Sequence, residues 1–151
     1  MRPDEILTSD QALRRLASGE ALTVAVDPRL RYQPTGLGVR PGEQYVLAAS
    51  GKWRDGFKIC GPAGWGSGWL TRFNRLPRQP FFYLCGCLGR DDRQAFPIGV
   101  TREWSVPAAI PGPDDSRLYL FANDWPMMYW NNKALDETEG GPLSVTITRV
   151  P

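Results

Sequence analysis

Glycine and proline punctuate this chain too densely for long helices. Sixteen glycines and 14 prolines fall within 151 residues, about a fifth of all positions against a usual ~12%. Inside a helix a glycine costs about 1 kcal/mol and a proline about 3. The intervals between them instead suit short strands joined by turns. The length fits one domain of ~150 residues, large enough to bury roughly two-thirds of its unfolded surface. With 42% hydrophobic and 23% charged residues the chain is neither disordered nor membrane-spanning. No run of ~18 apolar residues is present.

Histidine is absent, which removes Ser-His-Asp and Cys-His catalysis, histidine zinc sites and histidine pH switching together. A net charge of +2, spread along the chain, is too small to imply nucleic acid. The three cysteines, Cys60, Cys85 and Cys87, are an odd number, and no secretory signal opens the chain. The expectation is a reduced, cytoplasmic protein with free thiols, export without a signal being the alternative. Cys85-Gly86-Cys87 lacks the C-x-x-C spacing of a metal or redox site.

Residues 1–20 read as an amino-terminal helical extension. Thr8-Ser9-Asp10 can cap a helix from Gln11 to Ser18, stopped by Gly19. Residues 21–151 read as one β-sandwich domain. Strands are expected over 21–26, 35–39, 44–53, 80–88, 96–99, 101–106, 117–122 and 143–150, the last with clear alternation. The 80–88 run is continuously apolar, as in a central strand buried on both faces. Seven or eight such strands predict an all-β, jelly-roll type sandwich. Trp53 and Trp104 lie in strand patterns and are expected in the core. Arg90-Asp91-Asp92-Arg93 and Asp114-Asp115 read as solvated turns.

The densest polar group is the loop from Asn123 to Asn132. Asp124, Asn131 and Asn132 all carry short oxygen-bearing side chains, and hard cations such as calcium take six to eight oxygens. One carboxylate, two amides and two backbone carbonyls make about five ligands, leaving positions for water or sugar hydroxyls. An Asn-Asn turn and an Asp cap account for the same residues without an ion. The repeating Asp pattern of an EF-hand is missing.

The segment Phe121-Ala122-Asn123-Asp124-Trp125-Pro126, followed by Tyr129-Trp130-Asn131-Asn132 and Ser144-Val145-Thr146-Ile147, resembles the carboxy-terminal part of the PA-I galactophilic lectins, a bacterial family. Weaker likeness runs upstream through Lys52-Trp53, Gly61-Pro62-Ala63-Gly64, Cys85-Gly86 and Phe96-Pro97-Ile98-Gly99. The resemblance implies a jelly-roll sandwich that does no covalent chemistry and binds a galactose-type glycan through Ca2+, in an assembly of several copies. By position it implies Asp124, Asn131 and Asn132 as side-chain metal ligands and Met128 as a carbonyl ligand. A further carbonyl falls in the Arg54–Phe57 stretch, around Asp55 and Gly56. Asp124 and Asn131 would also hydrogen-bond the sugar.

Three departures stand out. The family's sugar-contacting histidine and glutamine have no counterpart in the matching loop Trp65-Gly66-Ser67-Gly68-Trp69. Residues 133–140 lengthen the link to the last strand, and the amino-terminal extension is additional. Trp65 and Trp125 are read equally as a stacking platform for sugar or as packing, whereas Trp69 and Trp130 are expected to pack. The competing function is a lectin-like sandwich without sugar binding that serves as a protein-interaction module.

Overall fold

The computed structural model describes residues 13–110 and 116–151. Among the described residues twelve strands form: β1 (Ala21–Ala25), β2 (Gln33–Gly38), β3 (Gln44–Ser50), β4 (Trp53–Asp55), β5 (Lys58–Cys60), β6 (Ala63–Trp65), β7 (Phe81–Leu88), β8 (Ala95–Pro97), β9 (Thr101–Ser105), β10 (Arg117–Ala122), β11 (Asn132–Ala134) and β12 (Ser144–Val150). Every pairing among them is antiparallel. One sheet has the order β1-β12-β3-β9. A second runs β2-β10-β7-β6, with β8 also on β7, and β11-β4-β5 make a small third sheet.

The arrangement is sandwich-like because alternating residues of the two large sheets share one core. Tyr45 and Leu47 of β3, Val145 and Ile147 of β12 and Trp104 of β9 join Leu37 of β2, Phe82, Leu84 and Leu88 of β7, and Leu118 and Leu120 of β10. The opposite face of the second sheet is covered too. There Cys85 and Cys87 of β7 and Tyr119 and Phe121 of β10 form a smaller cluster with Tyr32, Leu76 and Tyr83. Burial on both faces is why β7 and β10 are continuously apolar rather than alternating. Gly86 is required within β7, since a Cβ there would sit 2.5 Å from the Phe96 ring.

Two expectations need correction. The helix to Ser18 does not form over its described part. Arg14 bridges Leu37 in parallel, with Arg14 N–H to Gly36 O at 2.9 Å and Gly38 N–H to Arg14 O at 2.9 Å. A helix of two turns is marginal alone, and the extended form buries Leu16 to 2% exposure while adding an edge to β2. The start of that expected helix, with its cap at 8–10, lies outside the described residues, as does Asp114-Asp115. The second correction concerns Asp92. Asp91 and Arg93 do form an exposed pair, but Asp92 accepts from the buried guanidinium of Arg75 and from the Tyr32 hydroxyl. Trp53 and Trp104 are core residues as expected.

Candidate functional site

The loop after β10 begins with Asn123, which is fully buried and acts as a latch. Its side-chain oxygen accepts from Leu76 N–H at 2.8 Å, and its amide donates to the carbonyls of Leu76, Gln79 and Pro80. The next peptide is held as well, because Arg75 N–H donates to Asp124 O at 3.0 Å. The Arg75 side chain then reaches the far part of the loop, donating to the Tyr129 hydroxyl at 2.8 Å and to Arg31 O at 2.7 Å. The Tyr129 hydroxyl donates in turn to Ala122 O. Asp92 neutralises Arg75 and the Phe121 ring lies 3.7 Å from the guanidinium carbon, which is how a fully covered arginine is tolerated. Asn123, Arg75, Tyr129 and Asp92 were not singled out by sequence reasoning. The bonds of Arg75 to Tyr129 and Arg31 and of Asn123 to Leu76 join residues more than 40 apart, and only the short Asn-Asp pair hinted at a constrained loop.

Asp124 is 3% exposed. One carboxylate oxygen accepts from Trp125 N–H at 2.8 Å, and the other, Oδ2, has no hydrogen-bond partner. Burial pushes its pKa up to about 7, the Asp55 carboxylate adds to the rise, and contacts from the Trp125 N–H and the Asn132 side chain oppose it. Asn132 is buried and opens β11, where it pairs directly across from Asp55 of β4. Its amide nitrogen donates to Pro28 O at 2.8 Å, which leaves Oδ1 without a donor. Asn131 Oδ1 is likewise buried and unpartnered, while the Asn131 carbonyl accepts from Gly56 N–H at 3.0 Å. Gly56 adopts φ of 58° at the β4–β5 turn, a left-handed position that suits glycine. Thus β11 and β4 bring Asn131 and Asn132 against Asp55 and Gly56.

Asp124 Oδ2, Asn131 Oδ1 and Asn132 Oδ1 are each buried without a donor, a costly arrangement at about 1–3 kcal/mol each. It becomes favourable when a cation supplies the missing positive charge. Among the described residues no group of three or more His, Cys, Asp or Glu side chains could hold a metal. Amide and carbonyl oxygens must therefore carry part of any cation site, which suits a hard ion. The donor set fits calcium on these grounds.

Asp124 also borders a cleft of about 430 Å³ whose lining includes Asp55, Met128, Trp65, Phe81 and Trp125. Asp55 faces it as a second carboxylate. It accepts from Trp65 Nε1 at 3.2 Å, and burial raises its pKa despite that bond. The Trp65 ring stacks on Phe81 with centroids 5.2 Å apart. Trp125 donates through Nε1 to Leu70 O at 3.1 Å and lies 6.2 Å from Phe81, centroid to centroid. Both rings are half-buried, so each packs on one side and presents the other. Trp69 and Trp130, expected to pack, are 68% and 77% exposed. Each lies in a short 3-10 turn at the surface, Trp69 at the start of Trp69–Phe73 and Trp130 within Tyr129–Asn131.

No protein-family model matches the chain, and no curated protein matches it. Solved structures do. One described as an EclA N-terminal domain, a PllA-like lectin, aligns with a TM-score of 0.57 and 29% identity, covering 84% of this chain and 94% of that one. The fold is lectin-like. Among the described residues no helix is long and apolar enough to cross a membrane.

Proposed function

We propose that the protein is a carbohydrate-binding lectin that takes up a galactose-type glycan through a bound calcium ion, after the manner of the PA-I galactophilic lectins. The observation that carries this reading is the set of three buried, donor-less oxygens on Asp124, Asn131 and Asn132, beside an aromatic cleft in a chain similar to a lectin domain. Those side chains would hold the ion, with backbone carbonyls of Met128 and of the Asp55–Gly56 turn as further ligands. Bound there, calcium would supply open coordination positions for neighbouring sugar hydroxyls.

The chain's own groups do the rest. Asp124 and Asn131 accept hydrogen bonds from the sugar, and Trp65 and Trp125 offer ring faces to its C–H surface. The Asn123 latch and the Arg75 clamp keep the loop in one conformation, so little ordering entropy is lost on binding. The jelly-roll connectivity and the multi-copy assembly of the family belong to the same reading.

The test is a calorimetric titration of galactosides into the protein in saturating calcium and again in chelator. Binding in calcium alone is the expected result. Equal affinity in chelator refutes the ion's role. Absence of binding to galactosides and to any other glycan, with calcium bound, leaves the interaction-module alternative in its place.

A further inference from the structure

The strip Gly66-Ser67-Gly68-Trp69 has a cleft on each side. One is the aromatic cleft at the proposed ion site. The other, of about 440 Å³, is lined by the same strip together with Thr71, Arg72, Arg78 and Pro80. No acidic side chain lines this second cleft. Arg72 and Arg78 are both exposed, and neither makes an ion pair among the described residues. The two cations therefore face one concave surface with nothing of opposite sign in its wall.

The wall is also built rather than loose. Thr71 is 5% exposed, and its hydroxyl donates to Gly68 O at 2.7 Å, fixing the end of the strip. The Thr71 carbonyl accepts from Arg78 N–H at 3.1 Å. Arg78 itself has φ of 69°, a left-handed conformation that costs a non-glycine residue about 1–3 kcal/mol and is retained where the surroundings impose it. Arg72 is steadied over the Phe73 ring, 5.7 Å from its centroid. A guanidinium fork recognises planar or tetrahedral oxyanions through paired N–H donors.

We propose that this second cleft is a saccharide subsite for an acidic sugar residue, bound through Arg72 and Arg78 by its carboxylate or sulfate. It rests on the reading of the neighbouring cleft as a galactoside site. Both clefts share the Gly66–Trp69 strip, so a glycan crossing Trp69 reaches both. The acidic residue is then the one attached to the ion-bound sugar, and the class of ligand is an acid-bearing galactoside rather than a neutral one.

The experiment compares matched galactosides whose second residue is neutral, carries a carboxylate as a uronic or sialic acid, or carries a sulfate. Affinities are measured in calcium and in chelator, at about 50 mM salt and again at about 500 mM. The acidic members bind about fivefold or more tightly at low salt, the gain expected for exposed charge pairs, and the advantage shrinks at high salt. The carboxylate and sulfate arms show which anion is preferred. The double variant Arg72→Gln/Arg78→Gln loses the advantage and keeps the affinity for the neutral galactoside, with an unchanged melting curve.

Equal binding of acidic and neutral members, or an advantage that survives the double substitution, overturns the inference while leaving the galactoside reading intact. Acid-bearing glycans that bind through Arg72 and Arg78 when neutral galactosides do not bind uphold the subsite and refute the galactoside reading. Binding to neither set overturns both.

Discussion

Replacing Asp124 by asparagine should stabilise the ion-free protein and abolish its response to calcium, two effects of opposite sign. In the absence of an ion the folded state holds a carboxylate at 3% exposure, with one oxygen unpartnered and the Asp55 carboxylate near enough to repel it. Burial and that repulsion raise its pKa from 3.8 to about 7. Such a rise is a destabilisation, worth at most ~4 kcal/mol. Local relaxation and water penetration around the charge bring it to about 1–2 kcal/mol. The sign follows from linkage. Below pH ~4 both folded and unfolded forms are protonated and there is no penalty. It grows between ~4 and ~7 and is complete above the folded value.

An asparagine keeps the acceptor for Trp125 N–H and puts an N–H donor beside the Asn132 side chain, whose Oδ1 lacks one. At pH 8 in chelator, Asp124→Asn should therefore melt about 2–8 °C higher than the wild type, at ~2–4 °C per kcal/mol for this size. In calcium at a hundredfold excess over its Kd the wild type gains about 2.7 kcal/mol and the variant gains nothing. Differential scanning calorimetry in both buffers reads all four values. A variant that melts lower than the wild type in chelator, or that still gains stability from calcium, refutes the reasoning.

Trp125→Ala should weaken galactoside binding several-fold by calorimetry while leaving the calcium-induced rise in melting temperature in place, because a ring contributes stacking alone. Arg75→Met should cost about 3–5 kcal/mol by urea unfolding, since it strands the Asp92 carboxylate and unties Tyr129, whereas Arg75→Lys should recover part of that loss. Burial opposes ionisation of Asp92, but bonds from Arg75 and Tyr32 outweigh it and hold the carboxyl below its ordinary 3.8. Its contribution is thus present above pH ~4 and fades as pH falls through the folded value, and a urea series at acid pH on wild type and Arg75→Met should converge. All three cysteines are free and buried, and burial pushes Cys60 up to about 12, Cys87 up to about 11 and Cys85 higher still. A thiol reagent at pH 8 should label them slowly until denaturant is added, and fast labelling of the native protein would contradict their burial.

The sequence by itself determined the class of fold and where the longer strands lie. Glycine and proline spacing argued against long helices, and the alternation of 143–150 and the unbroken apolar runs of 80–88 and 117–122 appear as β12, β7 and β10. Those signals are local, because a strand buried on one face or two must show period two or none. It also singled out Asp124, Asn131 and Asn132, since short oxygen-bearing residues cluster visibly in one loop. Strands β5, β6 and β11 span three residues each, too short for any period to register. The helical signal of 11–18 is about two turns long, and over its described part the bridge of Arg14 to Leu37 of β2 overrode it. Tertiary structure alone decided that Asp55 opposes Asn132, that Arg75 clamps both parts of the loop, and that the acceptors on Asp124, Asn131 and Asn132 are buried without donors. Each of those facts depends on desolvation and on partners far apart in the chain, and neither is written in the order of nearby residues.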